Sequence, residues 1–73
     1  MEKLFSTTLM KGDQTITYDV HFEQDRYEFV SQDGSDQFGI KREEDEWHMD
    51  RQMEKSVSES AIKALDDYLL SQH

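Results

Sequence analysis

The sequence predicts an α+β domain: a five-stranded antiparallel β-meander with a single C-terminal α-helix packed on one face. Three observations carry that expectation. Through roughly the first fifty residues, large apolar side chains alternate with polar ones, the period of a half-buried strand. Turn-forming pairs separate these runs at short intervals. Near residue 56 the apolar spacing changes to three and four, the period of an amphipathic helix. The strands are expected over residues 3–11, 14–23, 26–32, 35–42 and 46–51, and the helix over 56–71, all in one domain spanning 1–73.

The strand readings rest on named residues. Ile16, Tyr18, Val20 and Phe22 alternate with Thr17, Asp19 and His21. Tyr27 and Phe29, Phe38 and Ile40, and Trp47 and Met49 repeat the pattern, and Phe5 and Leu9 show a weaker version. Aromatic and β-branched residues suit such a pleated, one-sided surface. Gly12-Asp13, Gln24-Asp25 and Asp33-Gly34 fall midway between runs, and Asp-Gly favours a two-residue type I′ turn. Two-residue loops at those points place Leu9 opposite Ile16 and Phe5 opposite Val20. They also pair Val20 with Phe29, Phe22 with Tyr27, Phe29 with Phe38 and Tyr27 with Ile40. Every large side chain then lands on one face, and a one-residue slip would send a whole set to the other.

The fourth connection, Glu43-Glu44-Asp45-Glu46, has no Gly or Asn. A two-residue Glu-Glu turn would force positive φ on glutamate, so a four-residue loop is expected. That loop sets Arg42 opposite Trp47, within reach of a cation–π contact. In the helix, Val57, Ala61, Leu65 and Tyr68 form the apolar stripe, widened by Ile62, Ala64 and Leu69. Ser56 with Glu59 reads as a capping box, with Ser58 as a competing start. Glu59 and Lys63 are spaced for an i, i+4 ion pair. Met49 and Met53 are expected to fill gaps in the core near the helix entry.

A single helix of ~24 Å crosses a sheet ~19 Å wide, yet it is only ~10–12 Å thick against strands ~26 Å long. Either the sheet curls around the helix or a partner covers the remaining aromatic surface.

Composition narrows the function. The chain has 73 residues, 17 acids, 8 bases and a formal net charge of −9, with no cysteine and no proline. A disulfide scaffold and a thiolate metal site are excluded. The dispersed bases argue against nucleic acid and anionic membrane as partners. No run reaches the ~18–20 apolar residues of a membrane span. Leu4–Met10 is interrupted by Ser6, Thr7 and Thr8 and does not read as a secretory signal. The chain is therefore expected to be complete from Met1 and cytoplasmic.

Chemistry-bearing constellations are few. On the polar face, one row across the sheet is expected to read Leu4, His21, Glu28, Gly39, His48. Imidazoles and a carboxylate are zinc ligand types, but Gly39 separates Glu28 from His48 by two strand spacings, ~10 Å. A solvated face with an ordinary His–Glu pair is the reading taken. Gly39 itself is expected to mark a β-bulge rather than a close approach. Asp33-Gly34-Ser35-Asp36 lacks the ligand order of a calcium loop. No nucleophile elbow or phosphate-binding glycine loop is present, so no enzyme activity, metal or cofactor is expected.

What remains is a small acidic protein–protein interaction module whose partner is another protein or a second copy, giving a homodimer. The alternative is an acidic inhibitor that mimics nucleic acid toward a basic protein. The candidate partner-binding residues are Glu43, Glu44, Asp45 and Glu46 at the fourth hairpin, with Tyr18, Phe22 and Tyr27.

Overall fold

A computed structural model describes residues 2–72. Five strands form one antiparallel sheet in the order of the chain: β1 (Lys3–Lys11), β2 (Gln14–Glu23), β3 (Arg26–Ser31), β4 (Gln37–Glu43) and β5 (Glu46–Met49). One helix, α1 (Lys55–Ser71), follows and packs on the sheet, with its nearest backbone approach to β1. The expected α+β fold is the one observed, with β3 one residue shorter, β4 shifted toward the fourth turn, β5 ending at Met49 and α1 starting one residue earlier.

The register carries the whole core. Leu9 faces Ile16, Phe5 faces Val20, Val20 faces Phe29, Phe22 faces Tyr27, Phe29 faces Phe38 and Tyr27 faces Ile40. Tyr18, Val20, Phe29, Phe38 and Ile40 are at most 1% exposed and join Val57, Ala61 and Leu65 of α1. Although α1 lies nearest β1, side chains on β3 and β4 are shut off from water. The sheet must therefore curl over the helix rather than lie flat beneath it. Phe5 stacks on Tyr68 at 4.6 Å between centroids, Phe29 stacks on Phe38 at 4.8 Å, and Met49 and Met53 pack against the same cluster.

Several local expectations are corrected. The fourth connection is a two-residue turn, Glu44-Asp45, because Glu43 pairs with Glu46. Both turn residues are left-handed, at φ 52° and 66°, as are Gln24 and Asp25 at 54° and 65°. The twist match of a type I′ turn outweighs the steric cost of left-handed side chains. Arg42 still falls opposite Trp47, with its guanidinium 4.9 Å from the ring centroid. The Asp33-Gly34 connection is instead longer: only Gly34 is left-handed, its N–H donates to Ser31 O, and Ser31 N–H donates to Asp36 O.

The capping box is absent as well. Glu54 is the N-cap without a side-chain bond, and the Ser58 hydroxyl turns back to donate to Lys55 O. Lys63 pairs forward with Asp67 at 3.0 Å and Glu59 pairs with Lys55 at 3.7 Å, in place of a Glu59–Lys63 pair.

A polar clamp ties the linker before α1 to the sheet. The Tyr18 hydroxyl and Arg51 guanidinium both donate to the Asp36 carboxylate, and Lys11 Nζ lies 3.6 Å from it. Burial opposes ionisation of Asp36, but the Tyr18 and Arg51 hydrogen bonds and the Arg51 and Lys11 charges outweigh it and hold its carboxyl below the usual range. Burial, then the Asp36 bond, pushes Tyr18 up to about 12.

Candidate functional site

Alternate hairpins of a meander open at the same end, so the Gln24-Asp25 and Glu44-Asp45 turns share one end of the sheet. Glu23, Asp25, Glu43, Glu44, Asp45 and Glu46 are all exposed there. The last turns of α1 reach the same end, where Asp66 Oδ1 lies 4.0 Å from Arg42 Nη1. Arg26, Lys41 and Arg42 stand at this end too, paired with Glu28, Glu43 and Asp66. The opposite end carries Lys11, Arg51 and Lys55 beside Asp13 and Asp33.

An aromatic row opens at the acidic end. Phe22 is 49% exposed, and its ring centre lies 4.9 Å from that of Tyr27. Tyr27 meets Trp47 edge-on at 6.0 Å, and Arg42 covers Trp47. Three rings in sequence, one of them half open to water, offer an apolar surface bordered by carboxylates.

The structure thus brings Phe22, Tyr27 and the 43–46 tip to one end. Tyr18 is separate: it is fully buried, and its hydroxyl is committed to Asp36. Trp47 and Arg42 complete the row and were not among the sequence-derived candidates, although the expected Arg42–Trp47 stack already pointed to them.

The outer face holds a second polar cluster. His21 pairs with Glu28 and Glu28 with Gly39, as expected. The ends of the row differ. A shift at Leu4 places Lys3, not Leu4, opposite His21. His48 pairs with Lys41, and Asp50 lies beside Gly39 instead, accepting from Gly39 N–H at 2.9 Å and donating its own N–H to Gly39 O at 3.0 Å. Gly39 sits in regular pairing, so the bulge is replaced by a close approach. A Cβ there would stand 3.1 Å from Asp50 Oδ2 and 3.4 Å from Arg26 Cδ and Glu28 Oε2.

Glu28 is buried against Arg26, whose Nε forms the ion pair without the alignment of a hydrogen bond, and His21 Nδ1 is enclosed without a partner. Among the described residues, no three His, Asp or Glu side chains gather as a metal site. No helix among them is long and apolar enough to cross a membrane.

A groove of about 520 Å³ runs between β1 and α1 and is lined by Phe5, Thr7, Leu9, Lys63, Asp67 and Tyr68, among others. Comparison with protein-family models, curated proteins and solved structures gives no match for this chain.

Proposed function

We propose that the chain is a small non-enzymatic interaction module that docks a basic protein surface through the acidic, aromatic end of its sheet. One observation carries this reading: both acidic hairpin tips stand at the end where Phe22 opens to solvent beside the partly buried rings of Tyr27 and Trp47. Apolar rings supply contact area, and the surrounding carboxylates steer and select a partner of opposite sign. This joins the interaction-module expectation to the acidic-inhibitor alternative, since a basic groove that normally takes nucleic acid is one such surface. The net charge of −9 supports the accompanying expectation that nucleic acid and anionic membrane are not partners. The reading needs no cofactor and takes the cytoplasm as the site of action.

Affinity capture with three baits tests it: the wild-type chain, Phe22→Ala, and the tip-neutralised variant E43Q/E44Q/D45N/E46Q. A protein retained by the wild type, released at about 0.5 M salt and lost from both variants is the expected result. Identical retention by all three baits contradicts it.

A second copy is the alternative partner. The observation that favours it is the free edge of β1, nine residues long and without an acidic side chain.

A further inference from the structure

We infer that two copies join edge to edge through β1 about a twofold axis, forming a continuous ten-stranded antiparallel sheet. This rests on the self-association reading and specifies its interface.

β1 is an outer strand, so half of its backbone groups lack a ladder partner. Which half follows from the hydrogen bonds. Gln32 N–H donates to Thr17 O, so odd-numbered β2 residues bond toward β3 and even-numbered ones toward β1. The partners of the even residues are Phe5, Thr7, Leu9 and Lys11. Ser6, Thr8 and Met10 therefore turn their N–H and C=O groups outward.

Natural edges are protected by charge, proline, bulges or shortness. β5 has only four residues. β1 has nine, and between Lys3 and Lys11 it carries no charge and no proline; its one irregularity lies at the Leu4 end. It is also the one strand of the five without Asp or Glu. On a chain of charge −9, this is the edge at which a second copy meets least repulsion.

The strand is self-complementary about Thr7. Antiparallel pairing on that centre sets Ser6 against the partner's Thr8, both with outward backbone groups. On the inner face Phe5 meets the partner's Leu9, and on the outer face Met10, 64% exposed in the single chain, reaches toward the partner's strand where its register shifts at Leu4. The lysines that bound the strand are each beside an acid of their own chain, Lys3 4.0 Å from Asp19 and Lys11 3.6 Å from Asp36. The groove between β1 and α1 opens on the same side. Lys63 and Asp67 line it as an opposite-charge pair, so a twofold axis can offer each to its counterpart.

Sedimentation equilibrium from about 1 to 200 µM, with circular dichroism to confirm folding, tests the interface. The wild type is expected at twice the 8.7 kDa chain mass at the upper concentrations. Thr8→Pro removes an outward N–H without touching the β2 ladder and should weaken the dimer at least about tenfold. S6K/T8K sets like charges across the axis and should do the same, whereas S6K/T8E sets opposite charges there and should restore the dimer. A wild type that stays monomeric at every concentration overturns the inference, as does a dimer indifferent to all three β1 variants. A dimer lost only with Phe22→Ala moves self-association to the acidic end and also overturns it. Capture of a basic protein by the acidic end is read separately and survives each of these results.

Discussion

The Tyr18 hydroxyl donates to Asp36 Oδ2 at 2.8 Å, joining the centre of the core to the loop between β3 and β4. Arg51 closes on the other carboxylate oxygen, so one acid fixes a strand, a loop and the linker into α1. The acid response of the fold should follow from this carboxylate. Its folded pKa is depressed, so its contribution is present above the unfolded value, ~3.9, and is lost as pH falls through the folded value. Asp36→Asn should lower stability at pH 7 by about 1–3 kcal/mol. Urea unfolding at pH 7 and pH 3 checks this: the variant should lose less stability than the wild type over that interval.

Tyr18 carries the opposite sign. Its folded pKa is raised to about 12, so its contribution is whole below the unfolded value, ~10, and is lost as pH rises through the folded one. Tyr18→Phe should cost about 1 kcal/mol at neutral pH by removing a donor from Asp36. It should also flatten the fall in stability above about pH 10. Chemical denaturation followed along an alkaline series measures both effects.

The left-handed turn residues are strained in a way glycine relieves. Asp45, at φ 66°, and Asp25, at φ 65°, each bear a side chain where it is disfavoured. Asp45→Gly should stabilise the fold by about 0.5–1 kcal/mol, the steric relief exceeding the added chain entropy. A lower thermal midpoint for this variant would show that Asp45 makes a compensating contact.

Gly39 leaves little room for a branched side chain. Asp50, Arg26 and Glu28 all lie within 3.4 Å of the point a Cβ would occupy. Gly39→Val should therefore destabilise by about 1–3 kcal/mol through overpacking. Paired with Asp50→Ala, the same substitution should cost measurably less, which a double-mutant cycle would detect.

The sheet was legible because a period of two makes register unforgiving: Val20, Phe29, Phe38 and Ile40 reach the core only in the observed pairing. The conformations of the connections were not. Glu44 and Asp45 adopt left-handed backbone because strand twist selects it, against the preference of either residue. Ser56 and Ser58 had the spacing of caps, but the chain enters α1 from Glu54, and Ser58 bonds backward. At the candidate site, the 43–46 run was legible as an acidic turn, and Phe22 and Tyr27 as part of an aromatic face too long for one helix to cover. Tyr18 looked equivalent to Phe22 in the alternation, and only the curl of the sheet separates a buried ring from an open one.

Trp47, the sole tryptophan, stands between Tyr27 and Arg42 at the acidic end and reports on it directly. Its fluorescence, titrated with a basic amphipathic peptide of alternating lysine and leucine, tests the central claim. The expected result is a saturable change that is lost in E43Q/E44Q/D45N/E46Q and suppressed at about 0.5 M salt. No change up to about 1 mM peptide, or a change of the same size in the neutralised variant, would contradict docking at this end.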